Sequence, residues 1–163
     1  TAEEAEAVIK ATQDGAQNEF ETSVACIGSS ICQVGVGDSQ KLLSALVEEE
    51  RTWGFEDGVL PVIHISGCPS SCGTHQIGKI GFRGGVKMVD KTPQPAFVLF
   101  VGGCDLEGQE RFGKELGQIL AVNIPGFMKE LGERISQAGM VFEQWFPEHQ
   151  KELEEIAGKY IIK

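Results

Sequence analysis

Residues 59–72 read VLPVIHISGCPSSC, a β-prone apolar run that breaks at a Gly-Cys-Pro turn and ends on a second cysteine. The branched residues favour a strand, and Gly67 and Pro69 end it, so the run delivers Cys68 and Cys72 just past a strand's C-terminus. A shorter stretch upstream does the same. Thr22 to Ala25 reads as a strand delivering Cys26, and Cys32 follows after Gly28, Ser29 and Ser30. Between the two, Asp38 or Ser39 caps a helix to about Glu50, with Leu42, Leu43, Leu46 and Val47 facing inward. The unit is therefore strand, helix, strand, with a cysteine pair after each strand.

The remaining elements are read outward from this unit. Residues 1–16 carry a weak helical stripe of Ala2, Ala5, Val8 and Ile9. A short helical turn is expected after Cys72. Apolar segments at about 77–83, 85–90 and 96–102 are punctuated by Gly84, Gly85, Pro93 and Pro95, and read as an antiparallel meander. Phe97 to Val101 is entirely apolar, as a central strand requires. Residues 103–123 show no decisive period. Ile124 to Ala138 is a helix, with Pro125 in its first turn and Gly139 at its end. Pro147 opens a last helix to about Tyr160. The order β-α-β-α-β(3) followed by two or three helices predicts an α+β fold, a mixed β-sheet with flanking helices. Residues 1–20 form a helix or linker, and 21–163 form one domain.

Bulk properties exclude several classes. A chain of 163 residues can bury a real core. No apolar run approaches the roughly 18 residues of a membrane span, so no membrane partner is expected. Net charge is −10, which argues against nucleic acid. That charge is uneven. Residues 64–91 hold Lys79, Arg83, Lys87 and Lys91 against one acid, Asp90, a local +3 that leaves −13 for the rest. The acidic remainder is by default a solvated surface, or else a docking face for a basic electron donor. The acidic N-terminus lacks the basic-then-apolar order of a signal peptide, so a cytoplasmic location with reduced thiols is expected. The chain begins at Thr1, as a processed protein or a piece of a longer one would.

The cysteines carry the chemistry. Cys26 and Cys32 are separated by five residues, and Cys68 and Cys72 by three. Four soft, charged thiolates close the shell of a 4Fe–4S cube. Spacing alone leaves two other readings open: a structural zinc site, which the five-residue gap disfavours, and inert or disulfide-bonded cysteines. Cys104 reads as a small buried side chain, His64 as structural and His149 as solvated. Phe142, Trp145 and Phe146 read as core or interface aromatics. Gly108 to Lys114 fits part of a phosphate-binding loop, but Glu115 replaces the needed hydroxyl and Glu107 and Glu110 repel phosphate.

VACIGSSICQVGVGDSQKL and HISGCPSSCGTHQIGKIGFRGG together resemble the sirohaem-dependent nitrite and sulfite reductases. FVLFVGG, the helix from 124 and VFEQWFPEH extend the resemblance over about 22–149. It implies the family's C-terminal cluster-binding domain, with Cys26, Cys32, Cys68 and Cys72 holding a 4Fe–4S cluster. It also implies that Cys72 bridges to the iron of a sirohaem. Ser70, Thr74, His75, Gln76, Lys79 and Arg83 are then the expected contacts to sirohaem, whose carboxylates call for donors and cations. The family's enzymes are longer, and the basic residues that grip nitrite or sulfite have no counterpart here. The implied partners are the remainder of the same reductase, as an N-terminal half or a second subunit, and an electron donor such as ferredoxin or a flavoprotein. Alone, the chain is not expected to turn over. A non-catalytic 4Fe–4S electron-transfer module and a structural zinc domain are the alternatives.

Overall fold

A computed structural model describes residues 1–13 and 15–162. Helix α1 (Ala2–Ala11) opens on a capping box, in which Thr1 and Glu4 satisfy each other's backbone, and it buries none of its residues. It stops short of the 1–16 expected, and Asp14 lies outside the described residues. Strand β1 (Val24–Ala25) leads through a cysteine loop into α2 (Ser39–Trp53) and then β2 (Ile63–Ser66). Asp38 caps α2 by accepting the Lys41 N–H. Strands β3 (Ile80–Val89), β4 (Thr92–Val101) and β5 (Lys114–Leu120) follow, then α3 (Ile124–Gln137) and α4 (Phe142–Tyr160).

The five strands lie in sequence order in one sheet. β1–β2 and β2–β3 are parallel, and β3–β4 and β4–β5 antiparallel, so the sheet is mixed, as expected. One core joins it to the helices. Ile63, Ile65, Ile80, Phe82, Phe97, Leu99 and Ile119 from the sheet meet Leu46 of α2, Phe127 and Leu131 of α3, and Trp145 and Leu153 of α4. Alternation sends His64, Ser66, Gly81, Arg83 and Phe100 to the opposite face. The β2–β3 connection lies over that face: its His75 carbonyl abuts Gly81 and its His75 ring packs on Phe100 at 4.9 Å. No helix is long and apolar enough to cross a membrane among the described residues.

Several expectations need correction. The segment after Cys72 forms turns and no helix, because Ser71 and Thr74 adopt left-handed backbones at φ 62° and 51°. The first two meander segments are one strand, β3. Gly84 does not break it, and its bare backbone instead lets Gly37 and the Gly67 carbonyl pack directly on the strand. Pro93 and Pro95 lie within β4, where β5 no longer pairs with it, so the missing N–H groups cost no second ladder. Helix α4 starts at Phe142, earlier than Pro147. Burial of Phe142 and Trp145 extends it, and the proline is absorbed by a kink with non-helical dihedrals at His149. The ambiguous 103–123 segment contains β5, and Lys114 opens a strand rather than the helix a phosphate loop needs. His149 is half-buried, its ring stacked on Trp145 at 4.8 Å with Nδ1 2.8 Å from the Trp145 carbonyl.

Candidate metal centre

Both cysteine pairs sit past the C-terminal ends of neighbouring parallel strands, so β1–β2 pairing alone brings their loops together. The Cys26 N–H donates to the Ile65 carbonyl at 3.0 Å, which extends the ladder one step beyond β1. The loop then curls back. Cys32 donates to Gly28 at 2.9 Å, and Val36 and Gly37 both donate to the Gly67 carbonyl, at 3.0 and 2.7 Å. Cys26, Cys32, Cys68 and Cys72 thereby line a single cavity of about 70 Å³, together with Ser70, Gly67 and Val34. Among the described residues, no three His, Cys, Asp or Glu side chains converge closely enough to hold one metal ion.

The cysteines differ in setting. Cys68 is buried, Cys26 and Cys32 are half-buried, and Cys72 is exposed. Cys26 is the best supported electrostatically. The Gly67 N–H donates to its sulfur at 3.0 Å, and the Ser39 hydroxyl, which donates to the Cys26 carbonyl at 2.7 Å, stands 3.3 Å from that sulfur. Burial raises the Cys26 thiol, but Ser39 and the backbone of Gly67 and Gly28 outweigh it and hold the group below the ordinary thiol range. Cys104 is buried, paired through its backbone with Arg111, and does not line the cavity.

The other expected contacts divide. Ser70 lines the cavity. Thr74 is exposed, with its hydroxyl 2.8 Å from His64 Nδ1. Gln76 is tied to the Ser71 hydroxyl. Lys79 is ion-paired with Glu143 at the start of α4, alongside Pro61 and Val141 and away from the cysteines. Arg83 lies on the open sheet face, 5.3 Å from the Phe100 ring centre and 3.6 Å from Glu115. The cationic island is therefore spread over several places.

His75 is only 1% exposed, and its Nε2 is the one buried side-chain nitrogen or oxygen without a hydrogen-bond partner among the described residues. Burial, and then the Arg83 charge, push its pKa down to about 4 from an ordinary 6.5. A group so depressed contributes stability that is fully present above pH 6.5 and is lost as pH falls towards 4, because the unfolded chain takes up the proton first. The stability of the cofactor-free chain, followed by melting, is expected to fall across that window by an amount on the order of 3 kcal/mol. His75→Phe should remove most of this slope. An unchanged slope in that variant would show that the imidazole is not held neutral.

Two features of the site escape sequence reading. Ser39 was one of two candidate caps, and because Asp38 takes the cap, its hydroxyl is free to serve Cys26. The cysteine loop also exposes a set of branched residues: Ile27, Ile31, Val34 and Val36 are 48–72% exposed. They were signalled only by apolar residues standing in a glycine-rich turn.

No family model matches the chain. It is similar to "Sulfite reductase [ferredoxin] 1" of Mycolicibacterium paratuberculosis, 32% identical over 71% of this chain and 20% of that protein. It is also similar to a sulfite reductase [NADPH] hemoprotein beta-component of Bacillus pumilus, 26% identical over 80% of this chain and 25% of the relative. The solved Mycobacterium tuberculosis NirA protein shares the fold, with a TM-score of 0.67 over 88% of this chain and 29% of that one, at 20% identity. The architecture is thus the α+β domain of that neighbour, and the relatives are reductases by name. The named relatives, with the shared fold, support the nitrite and sulfite reductase family for this chain, at modest identity over most of its length. The chain spans about a fifth to a quarter of the length of these curated relatives.

Proposed function

We propose that this chain is the 4Fe–4S and sirohaem-binding part of a nitrite or sulfite reductase. The observation that carries the reading is the convergence of Cys26, Cys32, Cys68 and Cys72 on one cavity. A tetrahedral zinc ion would draw its sulfurs to about 2.3 Å from a single point, and the five-residue gap between Cys26 and Cys32 disfavours that arrangement. A cube asks for one thiolate per corner iron around a central void, and four cysteines lining one cavity support that reading. Donors aimed at sulfur fit it as well. The Gly67 N–H at Cys26 offsets thiolate charge, as outer-shell hydrogen bonds do for bound clusters.

When bound, the two cofactors would supply one-electron chemistry for reduction of a small oxyanion. The chain's own residues hold and orient. Cys26, Cys32 and Cys68, the less exposed three, would hold the buried side of the cluster. Exposed Cys72 would hold the remaining corner and, being open to the outside, could also serve the sirohaem. Ser70, Thr74, Gln76 and the unpartnered Nε2 of His75 offer polar atoms beyond Cys72, and Arg83 offers a cation on the open sheet face. Lys79 can contribute only by leaving Glu143. The exposed Ile27, Ile31, Val34 and Val36 favour coverage of this loop by the remainder of the reductase, in the same chain or a second subunit. A ferredoxin or flavoprotein would donate electrons, and reduced thiols suit the cytoplasm.

Visible spectra of anaerobically purified protein test the reading. A broad blue-end shoulder that bleaches on reduction is expected after loading with iron and sulfide, and Soret and red bands after adding sirohaem. The shoulder without the bands would leave an electron-transfer module. A colourless protein that binds zinc would overturn the proposal.

A further inference from the structure

We infer that His64 is a positioning residue for the Cys72 turn, with Ser66 as its companion on the same strand. Both side chains leave β2 on the face away from the helical core, under the loop that carries Cys72. His64 Nδ1 is 2.8 Å from the Thr74 hydroxyl, and the backbones of Gly73 and Thr74 face the same ring. The Asp105 carboxylate lies 4.0 Å from Nε2, and because a hydroxyl both donates and accepts, either ring tautomer keeps the Nδ1–Thr74 contact. Ser66, fully buried, accepts the Gly73 N–H at 3.1 Å. The two residues that follow Cys72 are thus each tied to one β2 side chain.

The turn needs holding because its backbone is unfavourable. Thr74 stands at φ 51°, where a β-branched residue is a genuine outlier, and Ser71 at φ 62°. Such conformations persist only when their surroundings over-determine them. His64 supplies this at Thr74, and the ring cannot retreat, since Gly78 packs so closely that a Cβ there would stand 2.8 Å from the His64 Cβ. The consequence for iron binding rests on the proposed role of Cys72 as a ligand. The clamp itself does not.

Amide hydrogen exchange on the cofactor-free chain tests it. His64→Val should speed exchange at Gly73, Thr74 and Ile77 about fivefold, as loss of one net hydrogen bond predicts, and leave β3 and β4 ladder amides unchanged. Thr74→Val, an exposed and near-isosteric change, should do the same from the other side. His64→Asn, which keeps a polar atom near the Nδ1 position, should restore slow exchange, as should Thr74→Gly in the His64→Val chain, because glycine holds a left-handed turn unaided. Unchanged exchange at residues 73–77, or equal acceleration across the sheet, would overturn the clamp. Iron uptake after loading with iron and sulfide reads the consequence: the His64→Val chain should retain several-fold less than the unaltered one. If the unaltered chain takes up none, the cluster reading fails while the exchange result still stands or falls by itself.

Discussion

Cys72→Ser is expected to abolish stable cluster binding in the anaerobically loaded chain. Serine keeps nearly the same shape but replaces a soft thiolate with a hard hydroxyl that stays protonated at neutral pH. Because Cys72 is exposed, the substitution creates no cavity and buries no unsatisfied group, so the fold should melt as before. Iron affinity should fall by more than the roughly 10–100-fold typical of outer-shell changes, since a ligand itself is lost. Cys104→Ser is the control: that sulfur lies off the cavity, and iron content should not change. Both are read by iron analysis and electron paramagnetic resonance of the reduced protein. Equal iron in the Cys72→Ser chain would remove Cys72 from the ligand set and, with it, the bridge to sirohaem.

The second large effect is expected at Gly73→Ala. A Cβ there would stand 2.1 Å from the Ile65 carbonyl oxygen and 2.7 Å from its carbon. Neither atom belongs to a flexible side chain. Ile65 is fully buried in β2 and paired on both sides, to Ala25 and to Phe82, so the strand cannot move without breaking two ladders. Relief must come from the turn, which would carry Cys72 away from the cavity. The cost should reach about 3 kcal/mol, the upper range for overpacking. For a domain of this size that is a fall of about 6–12 °C in melting temperature. Cluster loading should be lost as well. Gly158→Ala, in α4 with nothing within 4 Å of the added carbon, should instead stabilise by about 0.5–1 kcal/mol. A Gly73→Ala chain that melts and loads normally would show that the turn is not pinned against β2.

The strand–helix–strand unit was legible because its signals are local. Apolar β-branched runs end on Gly-rich turns, and an Asp cap precedes a leucine stripe. Those same signals put both cysteine pairs at the ends of adjacent strands. What stayed hidden depends on neighbours distant in sequence. Gly84 and Gly85 read as a break, yet Gly84 is where Gly37 and Gly67 approach β3. Pro147 read as a helix start, but burial of Trp145 pulls the helix back to Phe142. The left-handed backbones at Ser71 and Thr74 carry no signal in residues that seldom adopt them, and the His64 contact that supports Thr74 arises only from strand pairing. The basic residues could be counted but not located: sequence groups Lys79 with Arg83, and the fold sends one to Glu143 and the other to Glu115.

The most direct test of the central claim is the iron and acid-labile sulfide content of the anaerobically purified or reconstituted chain. One cube on four cysteines predicts about four iron atoms and about four sulfides per chain. About one zinc with no sulfide, or neither metal nor sulfide under conditions that exclude air, would contradict it.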